Sequence, residues 1–192
     1  MHDVTLRGKR VILEPLVPAM AQDLAAAIQP GDDVYRWTNT NPRTPEEMRA
    51  WIEARGSPRP GLRNLAFAQR DPATGRLAGS TSLFDIDEKA ESAEIGHTWI
   101  AAPWRRTGLN TEAKLLLLTH AFETLRLKRV QLCTDLRNTR SQDAIARLGA
   151  VREGALRNFR RNLEGGLRDT VVYSVIAQEW PATKARLEGM LR

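Results

Sequence analysis

Trp104-Arg105-Arg106-Thr107-Gly108-Leu109-Asn110-Thr111-Glu112-Ala113 joins a stretch of strand character to a long helix, and its reading decides the fold. A loop that turns at a glycine and at once opens a helix aims free backbone N–H groups and the positive end of the helix dipole at one point. Proteins bind phosphate in this way. Arg105 and Arg106 add fixed positive charge beside the turn. Taken alone, the segment suits an anion site and a plain strand-to-helix connection equally well.

Outward from that segment the hydrophobic period changes several times. Toward the C-terminus, Thr111 to Leu125 carries the contiguous leucines 115–118 with Ala121, Phe122 and Leu125, which predicts a long helix buried on more than one side. Val130 to Thr134 then reads as a strand, and Asn138 to Leu148 as a short helix stopped at Gly149. Val151 to Leu156 and Asp169 to Ala177 follow as strands, with Val171, Tyr173 and Val175 alternating against Val172, Ser174 and Ile176. Toward the N-terminus, Ala93 to Ile100 reads as a strand. Leu65 to Gln69, the turn Asp71 to Gly75 and Leu77 to Phe84 read as an antiparallel hairpin. Thr44-Pro45-Glu46-Glu47 offers a cap, a proline at the first helical position and a glutamate three beyond the cap, so a helix runs from about Pro45 to Arg55 and stops at Gly56. Arg10 to Pro15 reads as a short strand and Pro18 to Ile28 as a helix. Runs of strands joined by a few helices predict an α+β or mixed α/β sandwich.

Composition bounds the rest. At 192 residues, 42% hydrophobic and 27% charged, residues 1–192 read as a single globular domain. The one cysteine, Cys133, cannot form an internal disulfide, and no Cys/His pair stands at zinc-ligand spacing, so neither a stapled secreted domain nor a metal site is expected. No apolar run approaches the roughly 20 residues that a bilayer needs, and Met1-His2-Asp3 lacks the layout of a signal peptide. The expectation is a soluble protein in the reducing cytoplasm, with no membrane partner. Lys plus Arg exceed Asp plus Glu by 29 to 23, a net +6. That charge invites nucleic acid but suits a polyanionic cofactor equally, and a solvated face is the preferred reading of the basic run Arg152 to Arg168.

The ordered set of Ala93-Glu94-Ile95-Gly96, Arg105-x-x-Gly108-x-Asn110-Thr111-Glu112-Ala113 and Asn138-x-x-Ser141 ending at Leu148-Gly149 resembles the GNAT acetyltransferases, in their RimJ/RimL-like branch. Arg152-Glu153-Gly154-Ala155-Leu156-Arg157, Arg168 to Ser174 and Glu179-Trp180 extend the likeness, which covers roughly Leu6 to Trp180. The resemblance implies a central, mostly antiparallel twisted sheet of about seven strands, with helices on both faces and a splayed strand pair at the cofactor. It implies acetyl-CoA as cosubstrate. Arg105, Arg106, Thr107, Gly108, Leu109, Asn110 and Thr111 would form the pyrophosphate loop, Trp99 and Ile100 would offer backbone to the pantetheine, and Asn138 and Ser141 would face the cofactor. Two residues depart from the family's loop. Asn110 stands where Gly or Ala is usual, and is expected to cap the helix, while Arg106 stands where many relatives have Gly.

Acetyl transfer needs a neutral amine, a donor for the developing oxyanion and a thiol that leaves. Glu94 is the candidate base, against the plainer reading of a strand carboxylate paired with an arginine. Ser141 is the candidate donor to the sulfur, against a plain cap. Ile145 stands where many GNAT enzymes have a tyrosine acid, and Arg160 where some RimL-like enzymes have a carboxylate nineteen residues beyond the serine. His97, Tyr173, Cys133, Trp37, Trp51 and Trp104 read as packed residues. The acceptor groove is expected from the two N-terminal helices and a loop at Arg157 to Gly166, with a second subunit of a homodimer allowed. The reading is an N-acetyltransferase acting by direct attack on a primary amine, that of a ribosomal-protein N-terminus among the options. Small-molecule acetylation and a non-catalytic CoA-binding module are the alternatives.

Overall fold

The computed structural model describes residues 2–192. Its elements run β1 (Leu6–Arg7), β2 (Ile12–Pro15), α1 (Ala21–Ala27), α2 (Pro45–Arg55), β3 (Arg63–Arg70), β4 (Leu77–Asp87), β5 (Ser92–Ile100), α3 (Leu109–Thr119), β6 (Arg129–Asp135), α4 (Thr139–Leu148), β7 (Val151–Arg161), β8 (Leu167–Ile176) and α5 (Trp180–Gly189). The strands form one sheet in the order β1-β2-β3-β4-β5-β6-β8-β7, eight strands rather than about seven. The extra strand, β1, has only two residues, too few to show alternation in sequence.

Local chemistry accounts for the helices. Thr44 and Glu47 close the reciprocal capping box on α2, with Pro45 in the first turn. α4 is capped by Asn138, whose side chain accepts from the Ser141 N–H, and it stops at Gly149 in the left-handed region. The long helix begins at Leu109, two residues earlier than the sequence implies, and its last part, His120–Thr124, is wound as a π turn. Its leucines, Leu109, Leu117 and Leu118, are fully buried in a core shared with Phe67, Leu83 and Leu187. α5 is the helix the sequence reading missed, because its apolar residues are too sparse to draw a stripe.

Helices α1 and α2 pack together, and α3, α4 and α5 pack together. Strand β5 is reached from both groups, by Arg55 of α2 at His97 and by Lys114 of α3 at Thr98. The final strands are longer than expected. β7 and β8 form a hairpin whose turn lies between Arg161 and Leu167, so the first half of the stretch expected as the loop Arg157 to Gly166 belongs to β7, with Arg160 and Arg161 paired to β8. No helix of the described residues is long and apolar enough to cross a membrane.

Candidate active site

The sheet opens where its one parallel pairing ends. Ser92–Ile95 of β5 pairs with Arg129–Leu132 of β6, and no further. Beyond Ile95, β5 stays on β4, while Cys133 to Asp135 stay on β8. A bulge drives the divergence: Ser82 faces Gly96 and Ser80 faces Trp99, so His97 and Thr98 together oppose the single residue Thr81. His97 sits at φ 50. Such an insertion bends a strand and increases its twist, carrying β5 away from β6.

At the inner end of the opening lies Glu94, buried, with both carboxylate oxygens 3.1 Å from Arg160 Nη2 and Oε2 2.9 Å from Gln131 Nε2. The arginine that replaces a relative's carboxylate at position 160 therefore holds the carboxylate of position 94. A cavity of about 270 Å³ leads to Glu94 from the N-terminal ends of β5 and β6. It is walled by Arg59 and Leu62 from the α2–β3 connection, by Asp85 and Asp87, and by Phe159 of β7. Arg59 and Asp85 form an ion pair there. Phe159 and Arg160, expected on a loop, stand beside this cavity and Glu94 on strand β7.

His97 packs against Phe84 at 4.2 Å between centroids with the rings tilted by 35°, and its Nε2 lies 3.0 Å from Arg55 Nη1. A guanidinium only donates, so Nε2 accepts and Nδ1 carries the proton. Burial, with the Arg55 and Arg160 charges, pushes the His97 pKa down to about 3, so the ring is neutral at ordinary pH. Cys133 lies in the same region, its thiol pushed up to about 12 by burial and by Glu94. It is a protonated thiol, unsuited to nucleophilic attack.

From the other end comes the glycine loop. Gly108 is the N-cap residue of α3 at φ 85, and the first backbone bond of the helix is Glu112 N–H to the Gly108 carbonyl, 3.0 Å. The N–H groups of Leu109, Asn110 and Thr111 have no backbone acceptor among the described residues. Asn110 does not cap, contrary to expectation. It stands one position inside the helix, and its Oδ1 is buried without a partner. The Ile100 carbonyl accepts from Arg105 Nε at 3.1 Å, whereas the Trp99 carbonyl turns the other way, accepting from Gln69 Nε2 at 3.2 Å. Of those two residues, Ile100 faces the opening. Arg105 also meets Asp32 at 3.3 Å and Asp33 at 3.4 Å, and Asp33 meets Arg140 of α4 at 3.5 Å, so the α1–α2 connection ties the two banks together. Asn138 holds the first turn of α4 through the Ser141 N–H at 3.1 Å. No hydrogen bond engages the Ser141 hydroxyl among the described residues.

Three participants escaped the sequence reading. Arg10, at the β1–β2 turn, packs its side chain over Gly108, reaching the Thr107 carbonyl at 3.4 Å and the Leu191 carbonyl at 3.1 Å. Glu112 fixes that turn, accepting from the N–H groups of Lys9 (3.0 Å), Arg10 (2.5 Å) and Val11 (2.9 Å). A β-carbon at Gly8 would overlap the same carboxylate. Lys114 is buried, with Nζ 3.0 Å from Thr81 Oγ1 and 2.7 Å from Thr98 Oγ1. Burial alone pushes its pKa down to about 7. The tryptophans are packing residues: Trp51 and Trp104 are buried, and Trp37 lies between Arg36 and Arg137. Tyr173 is buried in the sheet with its hydroxyl 3.4 Å from Gln142 Oε1.

A sheet opened along one parallel seam, with a glycine loop and helix start at one end and a carboxylate at the other, is the architecture of an acetyltransferase (GNAT) domain. The model of the acetyltransferase (GNAT) domain matches residues 10–151, and the chain belongs to that family. It is 37% identical over 110 residues to a Bacillus subtilis (strain 168) protein named as a ribosomal N-acetyltransferase, YdaF, a match covering 57% of this chain and 59% of that relative's length. It is 40% identical to an acetyltransferase of T. thermophilus, whose crystal structure superimposes with a TM-score of 0.88 over 100% of this chain and 99% of that one. The fold also matches Mycobacterium smegmatis RimJ, solved in complex with CoA-disulfide, at TM-score 0.82 and 22% identity over 100% of this chain and 98% of that one. The RimJ/RimL-like resemblance is thus shared by its relatives.

Proposed function

We propose that this chain is an acetyl-CoA-dependent N-acetyltransferase that modifies the N-terminal amine of a ribosomal or other protein, by direct attack within a ternary complex. The observation that carries the reading is the opening between β5 and β6, approached by the α3 N-terminus from one end and by the cavity at Glu94 from the other. The names of YdaF and RimJ, and the CoA compound bound to RimJ, support the choice of cosubstrate and acceptor.

The N–H groups of Asn110 and Thr111, which have no acceptor among the described residues, and the left-handed Gly108 fit a pyrophosphate, with the Leu109 N–H beside them held only by Thr107 Oγ1 at 3.4 Å. Arg106 and Arg10 add charge at the same turn, and Ile100 offers strand edge to an extended amide chain. Acetyl-CoA supplies an electrophilic acyl carbon and a thiol leaving group. The chain's own residues do the rest. Glu94, fixed by Arg160 and Gln131, takes a proton from the acceptor ammonium, directly or through water. The freed amine forms the C–N bond and the C–S bond breaks; the nitrogen's second proton passes to the thiolate, which leaves as the thiol with the Ser141 hydroxyl hydrogen-bonded to the sulfur as it departs. Positioning in one complex supplies much of the rate.

The test is purified protein with acetyl-CoA and a panel of ribosomal-protein N-terminal peptides, free amino acids and polyamines, following free thiol and acceptor mass. Acetylated peptide supports the reading. Acetylation of amino acids or polyamines alone moves the enzyme to small molecules, and absence of calorimetric CoA binding removes the assignment.

A further inference from the structure

Lys114, Thr81 and Thr98 form a closed triangle of polar atoms at the bulge of β5, and its hydrogen-bond arithmetic has one solution. Lys114 Nζ lies 3.0 Å from Thr81 Oγ1 and 2.7 Å from Thr98 Oγ1, and the two hydroxyl oxygens are 2.8 Å apart. As the ammonium, Lys114 carries three hydrogens and no lone pair, so it donates to both threonines. Thr81 has 0% exposure, and its hydroxyl hydrogen has no acceptor other than Thr98 among the described residues. A buried hydroxyl left unpaired is costly, so Thr81 donates to Thr98. Both lone pairs of the Thr98 oxygen are then filled. Its own hydrogen points elsewhere, to the Gly96 carbonyl at a long 3.3 Å or to whatever enters the opening.

Thr98 is also in the right place. It is exposed, it lies three residues beyond Ile95, where pairing to β6 stops, and it stands between Glu94 and Ile100. Those two residues mark the amine end and the cofactor end of the opening. We propose that Thr98 is a catalytic hydrogen-bond donor to the acyl oxygen of the thioester, and that Lys114 and Thr81 are positioning residues holding its hydroxyl in the donating orientation. The inference rests on the acetyl-transfer reading given above. As the amine forms the C–N bond, negative charge gathers on the acyl oxygen, and Thr98 stabilises it without surrendering its proton. The oxyanion's electron pair re-forms the carbonyl as the C–S bond breaks, and the negative charge leaves on sulfur.

The experiment compares wild type with Thr98→Val, Thr98→Ser, Lys114→Met and the Thr98→Val/Lys114→Met pair. The first readout is the ¹³C resonance of acetyl-CoA labelled at the thioester carbonyl, which requires no acceptor. Wild type and Thr98→Ser should move that resonance downfield on binding, and Thr98→Val should bind acetyl-CoA without moving it. The second readout is turnover with the acceptor panel. Thr98→Val should lower kcat roughly 10²- to 10³-fold with the KM for acetyl-CoA within about 2-fold, as expected for loss of one oxyanion donor. Thr98→Ser should restore most of it, and Lys114→Met should cost kcat in wild type but little more in the Thr98→Val background. A bound carbonyl with the same shift in wild type and Thr98→Val overturns the inference, as does a Lys114→Met loss undiminished by Thr98→Val. Failure of wild type to bind acetyl-CoA overturns the functional reading and this inference with it, whereas binding with no carbonyl shift overturns this inference alone.

Discussion

Glu94 is surrounded by groups that keep it in one position: Arg160 on one side, Gln131 on the other, and the Cys133 thiol close by. A group so fixed can receive a proton only from an acceptor delivered through the cavity beside it. Glu94→Gln keeps the shape and a hydrogen bond yet removes the basicity, and should lower kcat about 10²- to 10⁴-fold, the usual scale for a general base. Steady-state kinetics checks this, and a variant as fast as wild type would relieve Glu94 of the role. Ser141 and Asn138 separate cleanly, because the cap uses the Ser141 backbone and not its hydroxyl. Ser141→Ala should therefore leave the melting temperature unchanged and slow turnover. Asn138→Ala should cost about 1 kcal/mol of stability, the ordinary worth of an N-cap, measured by urea titration. The pairing of Glu94 with an arginine was foreseeable as a possibility for any strand carboxylate. That the arginine is Arg160 was not, since 66 residues separate them and only the β7–β8 hairpin brings them together.

The glycine loop and α3 act as one element with the N-terminal hairpin. Gly108 at φ 85 admits a side chain only with strain, and Gly108→Ala should cost roughly 1–2 kcal/mol and weaken CoA binding in calorimetry. Glu112→Ala should be worse for stability, leaving three N–H groups of the β1–β2 turn without their acceptor, at about 1–3 kcal/mol for each one that stays buried. It should also release Arg10 from the loop, so that CoA affinity falls although no side chain of the loop itself has changed. The loop was legible in sequence because Arg105-x-x-Gly108 is contiguous and a glycine before a helix has a physical meaning of its own. Arg10 and Glu112 were not, since their partnership is made across the fold and neither residue carries a local signal. The capping role expected of Asn110 failed for a related reason: the helix starts at Leu109, so position 110 is already within its first turn.

At the scale of the whole molecule, burial sets the response to pH. Lys114 holds its proton less tightly in the fold, at about 7, than in the unfolded chain, near 10.5. Above pH 7 the unfolded state binds the extra proton, so stability rises with pH. Cys133 has the opposite sign, its thiol raised to about 12, and opposes the rise once pH exceeds the ordinary thiol value of about 8.5. Melting temperature should therefore climb between about pH 7 and 8.5 in wild type and stay flat over that interval in Lys114→Met. Strand alternation and capping signals predicted most of the elements, but no sequence period could reveal a lysine with only hydroxyl partners, because both threonines come from other elements. The parallel seam has a mechanical meaning as well. Strands β1 to β5 form one panel and β6 to β8 another, and in the sheet ladder only the four residue pairs from Ser92–Arg129 to Ile95–Leu132 join them. A ligand lying in the gap replaces missing rungs of the ladder and welds the panels together. Those amide hydrogens between Gly96 and Ile100 that are not bonded to β4 should then exchange quickly in the ligand-free protein and slow when CoA is added, while those of β3 stay unchanged.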